Sequence, residues 1–174
     1  TTLSRVRRQR QMCIRDRGII LAIVLSLIDH TRRGYRPKNV VLVPAESGIM
    51  RAQPVATKAQ AVPGLLIYRF THSMYYANAE QLTEEITDLV NHSDPPLRWL
   101  CLDASAVDDV DYSAAATLRS LFGVLKEKGI HLVVAQVLDD VREESRYNLR
   151  ELFGEDAFYD TLDDVVEDYR KQTE

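Results

Sequence analysis

Two apolar strands joined by one amphipathic helix constrain the fold of this chain more than any other feature. The sequence RWLCL, ending at Leu102, and the sequence IHLVVAQV, from Ile130 to Val137, have few polar interruptions, as expected inside a sheet. Between them leucines recur at helical spacing, and Gly129 stands where a helix C-terminus favours glycine. A strand, a helix and a second strand over so short a distance form a right-handed parallel crossover. We therefore expect an α/β fold in which a mixed β-sheet is flanked by α-helices.

Further predicted elements extend this unit on both sides. Short strands are expected at Val40–Val43 and Leu65–Phe70. The helix after the second of these strands is expected to begin at an Asn78 cap, with Gln81 as its capping-box partner. Two more helices are expected near the C-terminus, the second capped by Thr161, with AFYD between them as a short edge strand. The first of these two would present an apolar face made of Val141, Leu149 and Leu152.

The N-terminal segment differs in charge from the rest of the chain. Six arginines and one aspartate give residues 1–17 a charge of +5, so the net charge of -4 leaves -9 on the other residues. An acidic main part offers no basic face for nucleic acid. Residues 1–17 resemble translated adapter sequence, and we interpret them as a non-native basic segment. A genuine basic flank of a short membrane anchor is the alternative.

An uncharged run of 11 residues, Gly18–Ile28, follows that segment. As a helix it would span about 16 Å, roughly half of a bilayer core. A signal peptide is the less favoured interpretation, because no small-residue cleavage site follows the run. The run fits the last half of a transmembrane helix better. The basic residues after it suit the cytoplasmic end of such a helix, and they are Arg32, Arg33, Arg36 and Lys38.

Composition then divides the remaining chain into three parts. We interpret residues 18–37 as the end of a transmembrane helix with its basic flank, residues 38–64 as a first strand and linker, and residues 65–174 as the folded domain. Two cysteines are too few for a disulfide framework, and Cys101 lies in a predicted buried strand. We therefore expect a reducing, cytoplasmic setting.

Four aspartates lie within the nine residues that follow RWLCL. An EF-hand counted from Asp103 would need glycine and glutamate where this chain has Asp108 and Ala114, so calcium is not expected. An Asp103 that accepts a phosphoryl group is a weaker alternative interpretation of these aspartates. The simplest interpretation is a solvated acidic loop that contains Asp109 and Asp111. The chain has no phosphate-binding glycine motif, no paired metal ligands and no nucleophile elbow. We expect no enzyme activity and no catalytic, cofactor or metal site.

Ser113 has two interpretations from the residues alone. As an N-cap of the following helix, its hydroxyl would accept a hydrogen bond from a free backbone N–H. As a phosphorylation site, it would gain about 1 kcal/mol from the helix dipole while adding charge beside the aspartates. Those effects oppose each other, so the phosphate would act as a partner switch rather than a stabiliser. The residues favour the N-cap role for Ser113, and the phosphorylation switch remains the alternative.

The loop and its neighbouring elements resemble a known signature. WLCLDASAVDDVDYSAAATLRSL is similar to the signature of STAS domains, the fold shared by anti-sigma-factor antagonists and the cytoplasmic tails of SulP anion permeases. In that pattern Asp-x-Ser follows an apolar strand, and Asp-x-Ser/Thr-Gly opens a helix. Ala114 stands where the antagonists usually have glycine, which argues against the phosphorylation switch. The signature positions, expected to be regulatory, are Asp103, Ser105, Asp111 and Ser113.

Two other stretches resemble the permease branch. PGLLIYRFTHSMYYANAEQLTEEI is similar to the permease-tail pattern, in which an aromatic pair, here Tyr75 and Tyr76, leads to Ala-Asn-Ala around Asn78. GIILAIVLSLIDHTRRGYRPKNVVLVP is similar to the join between the last membrane helix and that tail. The resemblance thus covers Gly18 to the C-terminus. Tyr75, Tyr76 and Asn78 are expected either to contact a partner or to set the fold, as a cap and a core contact.

The resemblance implies a function for the chain. It implies the C-terminal regulatory STAS domain of a SulP-type sulfate or anion permease, in a fragment without the transport domain. The domain would lie in the cytoplasm at the membrane, against the membrane domain of its own transporter. Other cytoplasmic proteins and a homodimer of the parent transporter are further implied contacts. The alternative is a free-standing STAS regulator of the anti-sigma-factor-antagonist type, switched by phosphorylation at Ser113.

Overall fold

The computed structural model describes residues 17–30, 37–45, 48–137 and 153–173. The chain forms two compact units, Thr1–Arg36 and Pro37–Glu174. In the first unit, residues 17–30 form helix α1, and its large apolar side chains are exposed all along the helix. No helix in the described ranges is both long enough and apolar enough to cross a bilayer. The expected end of a transmembrane helix stays a prediction, and most of its basic flank, residues 32–36, lies outside the described residues.

The second unit contains a six-stranded sheet with the order β2-β1-β3-β4-β5-β6. The strands are β1 (Val40–Pro44), β2 (Met50–Pro54), β3 (Leu65–Arg69), β4 (Trp99–Asp103), β5 (His131–Ala135) and β6 (Phe158–Tyr159). Strand β1 is antiparallel to both β2 and β3, whereas β3, β4, β5 and β6 run parallel to one another. The expected α/β fold with a mixed sheet and flanking helices is therefore confirmed.

In the described part of this unit, three α-helices cover the two faces of the sheet. They are α2 (Tyr76–His92), α3 (Tyr112–Glu127) and α4 (Leu162–Thr173). Helix α2 connects β3 to β4 and α3 connects β4 to β5, and both pack on one face. Helix α4 packs on the opposite face. Both faces of the central strands are thereby buried, which explains their nearly continuous apolar sequences.

Side chains of strand β3 alternate between the two faces. Leu66 and Tyr68 belong to the core under α2 and α3, whereas Leu65 and Ile67 belong to the core under α4. Cys101 on β4 also faces α4 and is fully buried, as expected. Burying each such aliphatic side chain contributes about 1.5–3 kcal/mol, so the sheet is held from both sides.

Most predicted elements of the second unit are confirmed, and one strand was missed. Strand β2, MRAQP, was expected to be linker because its sequence shows neither an apolar run nor a regular alternation. It lies at the edge of the sheet and is mostly exposed, so it needs no apolar pattern. The Thr161 cap is confirmed, since its Oγ1 accepts a hydrogen bond from the Asp164 N–H at 3.2 Å. The edge strand in AFYD is confirmed as β6, and the helix expected at residues 141–152 lies outside the described residues.

Candidate functional site

The signature positions lie at the edge of the sheet where β3 and β4 end. In a parallel sheet the carboxyl ends of neighbouring strands meet at one edge, and the helices that follow begin there. Here the loops after β3 and β4 lead into the N-termini of α2 and α3. The site is therefore built from two loops and two helix N-termini side by side.

Asp103, the last residue of β4, is held in an ion pair inside this edge. It pairs in register with Arg69 of β3, and its Oδ2 accepts a hydrogen bond from the Arg69 Nε at 2.6 Å. Its Oδ1 accepts from the Ser105 backbone N–H at 2.9 Å. The Asp103 side chain is fully buried, so loss of the Arg69 partner would leave a buried charge without its ion pair. The arrangement fixes the start of the signature loop and leaves Ser105 exposed.

Asp111 joins the two helices. Its Oδ1 accepts from the Ala114 N–H in the first turn of α3 at 2.7 Å, and its Oδ2 accepts from the Tyr76 N–H in the first turn of α2 at 2.9 Å. A negative charge is favourable at both places, because each helix N-terminus carries unpaired N–H groups and the positive end of the helix dipole. We call this pair of bonds the Asp111 clasp.

The two loops are also joined through their backbones. The Met74 N–H donates to the Asp109 carbonyl at 2.8 Å, and the Asp111 N–H donates to the Met74 carbonyl at 2.9 Å. These bonds form an isolated parallel bridge between Met74 and Val110. The Ser73 hydroxyl also donates to the Asp108 carboxylate. The sequence does not predict this pairing, because neither loop has an apolar or alternating pattern.

The expected role of Ser113 as the N-cap is wrong. Asp111 is the N-cap of α3, and Ser113 is the second residue of the helix, where its side chain is half-buried. Both residue types are good caps, and neither candidate has a glutamate or glutamine three residues later to decide between them. Asp111 rather than Ser113 is the cap of α3 because the Asp111 side chain also accepts a hydrogen bond from the N-terminus of α2.

The expected cap at Asn78 is also one turn too late. Tyr75 is the N-cap of α2, and the buried Asn78 side chain accepts from the Tyr75 N–H at 2.9 Å through its Oδ1. The Asn78 Nδ2 donates to the Ser73 carbonyl at 2.9 Å. Gln81 is therefore no capping partner, and its Nε2 instead donates to the Pro37 carbonyl at 2.9 Å. Asn78 sets the fold of the loop from inside the helix.

The two tyrosines of the aromatic pair are exposed, so the expected core contact is wrong. Tyr75 is 42% exposed and Tyr76 is 78% exposed. Tyr112, which sequence analysis did not single out, begins α3 directly after Asp111 and is 68% exposed. The Asp111 clasp brings the backbones of these tyrosines to one place at the edge of the sheet. We call Tyr75, Tyr76 and Tyr112 the tyrosine face.

The Asp103 and Asp111 carboxylates and the Cys101 thiol at this edge are hydrogen-bonded or buried within the domain. The Cys101 thiol lies nearby on β4, but burial and the charge of Asp103 raise its pKa, so it is not a thiolate nucleophile. Among the described residues no group of three or more histidine, cysteine, aspartate or glutamate side chains could hold a metal ion. The carboxylates of Asp103 and Asp111 both accept hydrogen bonds from groups within the domain. What the edge offers outward is its exposed tyrosines, Ser105 and the acidic loop.

A second polar cluster, which sequence analysis missed, fastens the start of this unit to α2. The Glu85 carboxylate accepts from Tyr68 Oη at 2.6 Å, from Asn39 Nδ2 at 3.0 Å and from Gln81 Nε2 at 2.6 Å. Burial and Glu85 raise the pKa of the Tyr68 hydroxyl, which therefore stays a neutral donor. Asn39 and Glu85 of this cluster, together with Pro37, line an open pocket of about 430 Å³.

Comparison with known proteins identifies the family. The profile of the STAS domain matches residues 56–165, which is more than half of the chain. The chain belongs to the STAS family. A probable sulfate transporter of Mycobacterium tuberculosis is 31% identical over 158 residues, covering 89% of this chain and 28% of that protein. High affinity sulfate transporter 2 of Stylosanthes hamata is 28% identical over 167 residues, covering 90% of this chain and 25% of that protein.

The fold of this STAS domain is also found in a transporter of known structure. The murine anion transporter Slc26a9, in its inward-facing state, matches with a TM-score of 0.71 at 16% identity. The match covers 88% of this chain and 25% of the transporter chain. The chain spans about a quarter of the length of the curated relatives. The resemblance to STAS domains of sulfate transporters, drawn from the signature loop and its neighbours, is confirmed.

Proposed function

We propose that this STAS domain is the cytoplasmic regulatory tail of a SulP-type sulfate or inorganic anion transporter, in a chain without the transport domain. The observation that carries the proposal is the match to sulfate transporters over 89% of this chain but only 28% of the relative. Such coverage supports a chain that is one part of a longer transporter. The residues that move the anion would lie in the other part.

The candidate site supports a role in protein contact rather than in catalysis. The carboxylates of Asp103 and Asp111 are occupied by hydrogen bonds that hold the loops, and the nearby Cys101 is a buried thiol. Exposed aromatic side chains at the same edge are typical of surfaces that bind other proteins. A domain that transmits regulation needs such a surface and no reacting group.

Helix α1 supports attachment to a membrane. Eight large apolar side chains between Ile19 and Ile28 are each at least 46% exposed, on all sides of the helix. A helix that is apolar all round is buried in a protein core or in a lipid bilayer. The apolar run is too short for a full span, which agrees with the end of a longer helix.

The first test is the DNA sequence upstream of the codon for Gly18. We expect an open frame that encodes about a dozen hydrophobic segments of roughly 20 residues each. Sulfate uptake by the complete protein, in cells that lack their own transporters, should then require that membrane part. Uptake by a protein truncated after Arg36 should be reduced or unregulated, whereas the 174-residue chain alone should transport nothing.

A start codon close to Gly18 would overturn this proposal and favour the free-standing regulator. That regulator would be phosphorylated on Ser113 by a partner kinase. A mass spectrum of protein from its native cells distinguishes the two, because only the regulator requires phosphoserine at that residue. The half-buried position of Ser113 in the first turn of α3 would then need to open to admit a kinase.

A further inference from the structure

We propose that the tyrosine face, together with the acidic residues beside it, binds an arginine- and lysine-bearing segment. We assign that segment to the cytoplasmic loops of the transporter's own membrane domain. The inference rests on the proposed function and specifies the partner of that same surface. It follows from exposure, charge and geometry at the edge of the sheet.

The tyrosine face concentrates exposed apolar surface in one place. Within the described part of the second unit, five large hydrophobic side chains are exposed, and three of them are Tyr75, Tyr76 and Tyr112. The other two, Ile49 and Val124, lie on a loop and near the far end of α3. Tyrosine is enriched where proteins bind one another, because it provides a large contact area with few rotatable bonds.

The positions of these tyrosines are fixed by the loops beneath them. Tyr75 is the N-cap of α2, Tyr76 is its first residue, and Tyr112 is the first residue of α3. The Asp111 clasp and the Met74–Val110 bridge hold the two helix starts together. The face is therefore organised before any partner arrives, which lowers the entropic cost of binding.

The charge around the face is negative. Asp108 and Asp109 are exposed on the signature loop, and Glu80 is exposed one turn into α2 from Tyr76. Arg69, the cation at the adjoining strand end, is paired with Asp103. The positive ends of α2 and α3 would repel a cation, but the Asp111 carboxylate already neutralises both. An acidic peptide or a nucleic acid would therefore be repelled.

Tyrosine rings beside carboxylates suit guanidinium and ammonium groups. Arginine stacks on aromatic faces and pairs with carboxylates at the same time, and lysine does so less specifically. The cytoplasmic loops of membrane proteins carry an excess of these two residues. For the tail of a transporter, such loops are basic segments of the same protein held close to it. The charges of the two surfaces are complementary.

Binding of a basic segment can be measured on the 174-residue chain itself. The probe is a decapeptide of alternating arginine and glycine, and the control peptide has glutamate in place of arginine. We expect amide shifts in NMR spectra to centre on Tyr76 and Tyr112 with the arginine peptide only, and to weaken at about 0.5 M salt. Shifts centred elsewhere, or equal for both peptides, would contradict the proposal.

Matched variants test which side chains carry the binding. Tyr76→Ala and Asp109→Asn should each weaken binding of the arginine peptide by about two- to fivefold. Val124→Ala and Glu127→Gln, at exposed positions near the other end of α3, should leave it unchanged. All four positions are exposed, so the fold should survive each change. Equal effects from both pairs would show nonspecific attraction and overturn the assignment.

Crosslinking in the complete transporter tests the source of the segment. A photoreactive benzoylphenylalanine at position 76 should link to arginine- or lysine-bearing cytoplasmic loops of the membrane domain, and one at position 124 should not. A crosslink from position 76 to a soluble protein alone would overturn the assignment to the membrane domain. If the upstream frame encodes no membrane domain, the proposed function fails, while the peptide measurement still decides the chemistry of the face.

Discussion

At the scale of single residues, one carboxylate accepts hydrogen bonds from the first turns of two helices. An N-cap usually stabilises one helix by about 1 kcal/mol. Asp111 bonds the Ala114 N–H of α3 and the Tyr76 N–H of α2, so its removal affects both. The loops of the candidate site therefore depend on this side chain more than on the serine of the signature.

We expect Asp111→Ala to lower the free energy of unfolding by about 2 kcal/mol, since it removes both bonds. Asp111→Asn should cost less, because asparagine is also a good cap. Ser113→Ala should lower the free energy of unfolding by less than about 0.5 kcal/mol, as is usual for a substitution that removes no helix cap and no buried hydrogen-bond network. Urea denaturation of the 174-residue chain measures all three. A larger loss for Ser113→Ala than for Asp111→Ala would mean that the serine is the cap.

Gly64 permits a close approach between the sheet and α4. It has a φ of +89°, and a Cβ at this position would lie 2.2 Å from the Tyr169 hydroxyl oxygen. That hydroxyl donates to the Pro63 carbonyl at 2.7 Å. Any side chain at residue 64 would therefore both strain the backbone and displace Tyr169.

A matched pair of glycine variants separates these two effects. Gly48 has a φ of +79°, and a Cβ added there would have nothing within 4 Å, so Gly48→Ala carries the backbone strain alone. We expect Gly64→Ala to lower stability by about 1–2 kcal/mol more than Gly48→Ala, through the displaced hydrogen bond and lost packing. Adding Tyr169→Phe should recover part of that difference. No recovery would show that Tyr169 does not oppose the substitution.

At the scale of elements, Glu85 connects three parts of the second unit. It lies on α2, Tyr68 lies on β3, and Asn39 precedes β1. The Asn39 Oδ1 also accepts from the Thr71 N–H at 3.3 Å, in the loop that leads to α2. The first residues of the unit are thus attached to the same helix whose N-terminus forms the candidate site.

We expect a double-mutant cycle with Asn39→Ala and Glu85→Ala to give a coupling energy of about 1 kcal/mol, because the two side chains bond directly. Asp88 is the matched control on α2, since its carboxylate pairs with Lys58 and His92 rather than with Asn39. Asn39→Ala and Asp88→Ala should be additive within about 0.5 kcal/mol. Equal coupling in both cycles would show that Glu85 has no specific connection to Asn39.

The sequence predicted the buried elements of this domain better than its polar contacts. Strands such as LLIYR and WLCLD are visible because both of their faces are buried, and nearly every residue then carries the apolar signal. Strand β2 lacks that signal at the edge of the sheet. The Asp111 clasp depends on residues 35 positions apart in the chain, and spacing along one helix cannot reveal such a bond. For this reason the signature loop was recognised correctly but the helix caps beside it were not.

At the scale of the whole molecule, two tyrosine hydroxyls that donate to carboxylates make the stability fall at alkaline pH. Burial and Glu85 raise the pKa of Tyr68, and burial and Asp168 raise the pKa of Tyr159. Above a pH of about 10 the unfolded chain loses these protons while the folded chain keeps them. The folded state then binds more protons, so its stability falls as the pH rises further.

We expect the free energy of unfolding to fall above a pH of about 10, with Tyr68 contributing up to about 1.4 kcal/mol per pH unit. Tyr68→Phe should be less stable than the parent at neutral pH, because Glu85 loses a donor, but should have a flatter decline between about pH 10 and 11. Tyr76→Phe, at an exposed position, serves as the control. Urea unfolding at each pH gives the slopes. Parallel declines for Tyr68→Phe and the parent would contradict the expectation.

The fully buried Cys101 thiol on β4 can be used to measure how often the domain unfolds. Cys101 lies between the sheet and α4, and a raised pKa keeps it protonated, so an alkylating reagent can modify it only after the sheet opens. With Cys13 changed to serine, the rate of labelling by a maleimide would measure how often the central strand becomes accessible. The same rate, followed inside a complete transporter while substrate is added, would register any tightening or loosening of the domain without an attached dye.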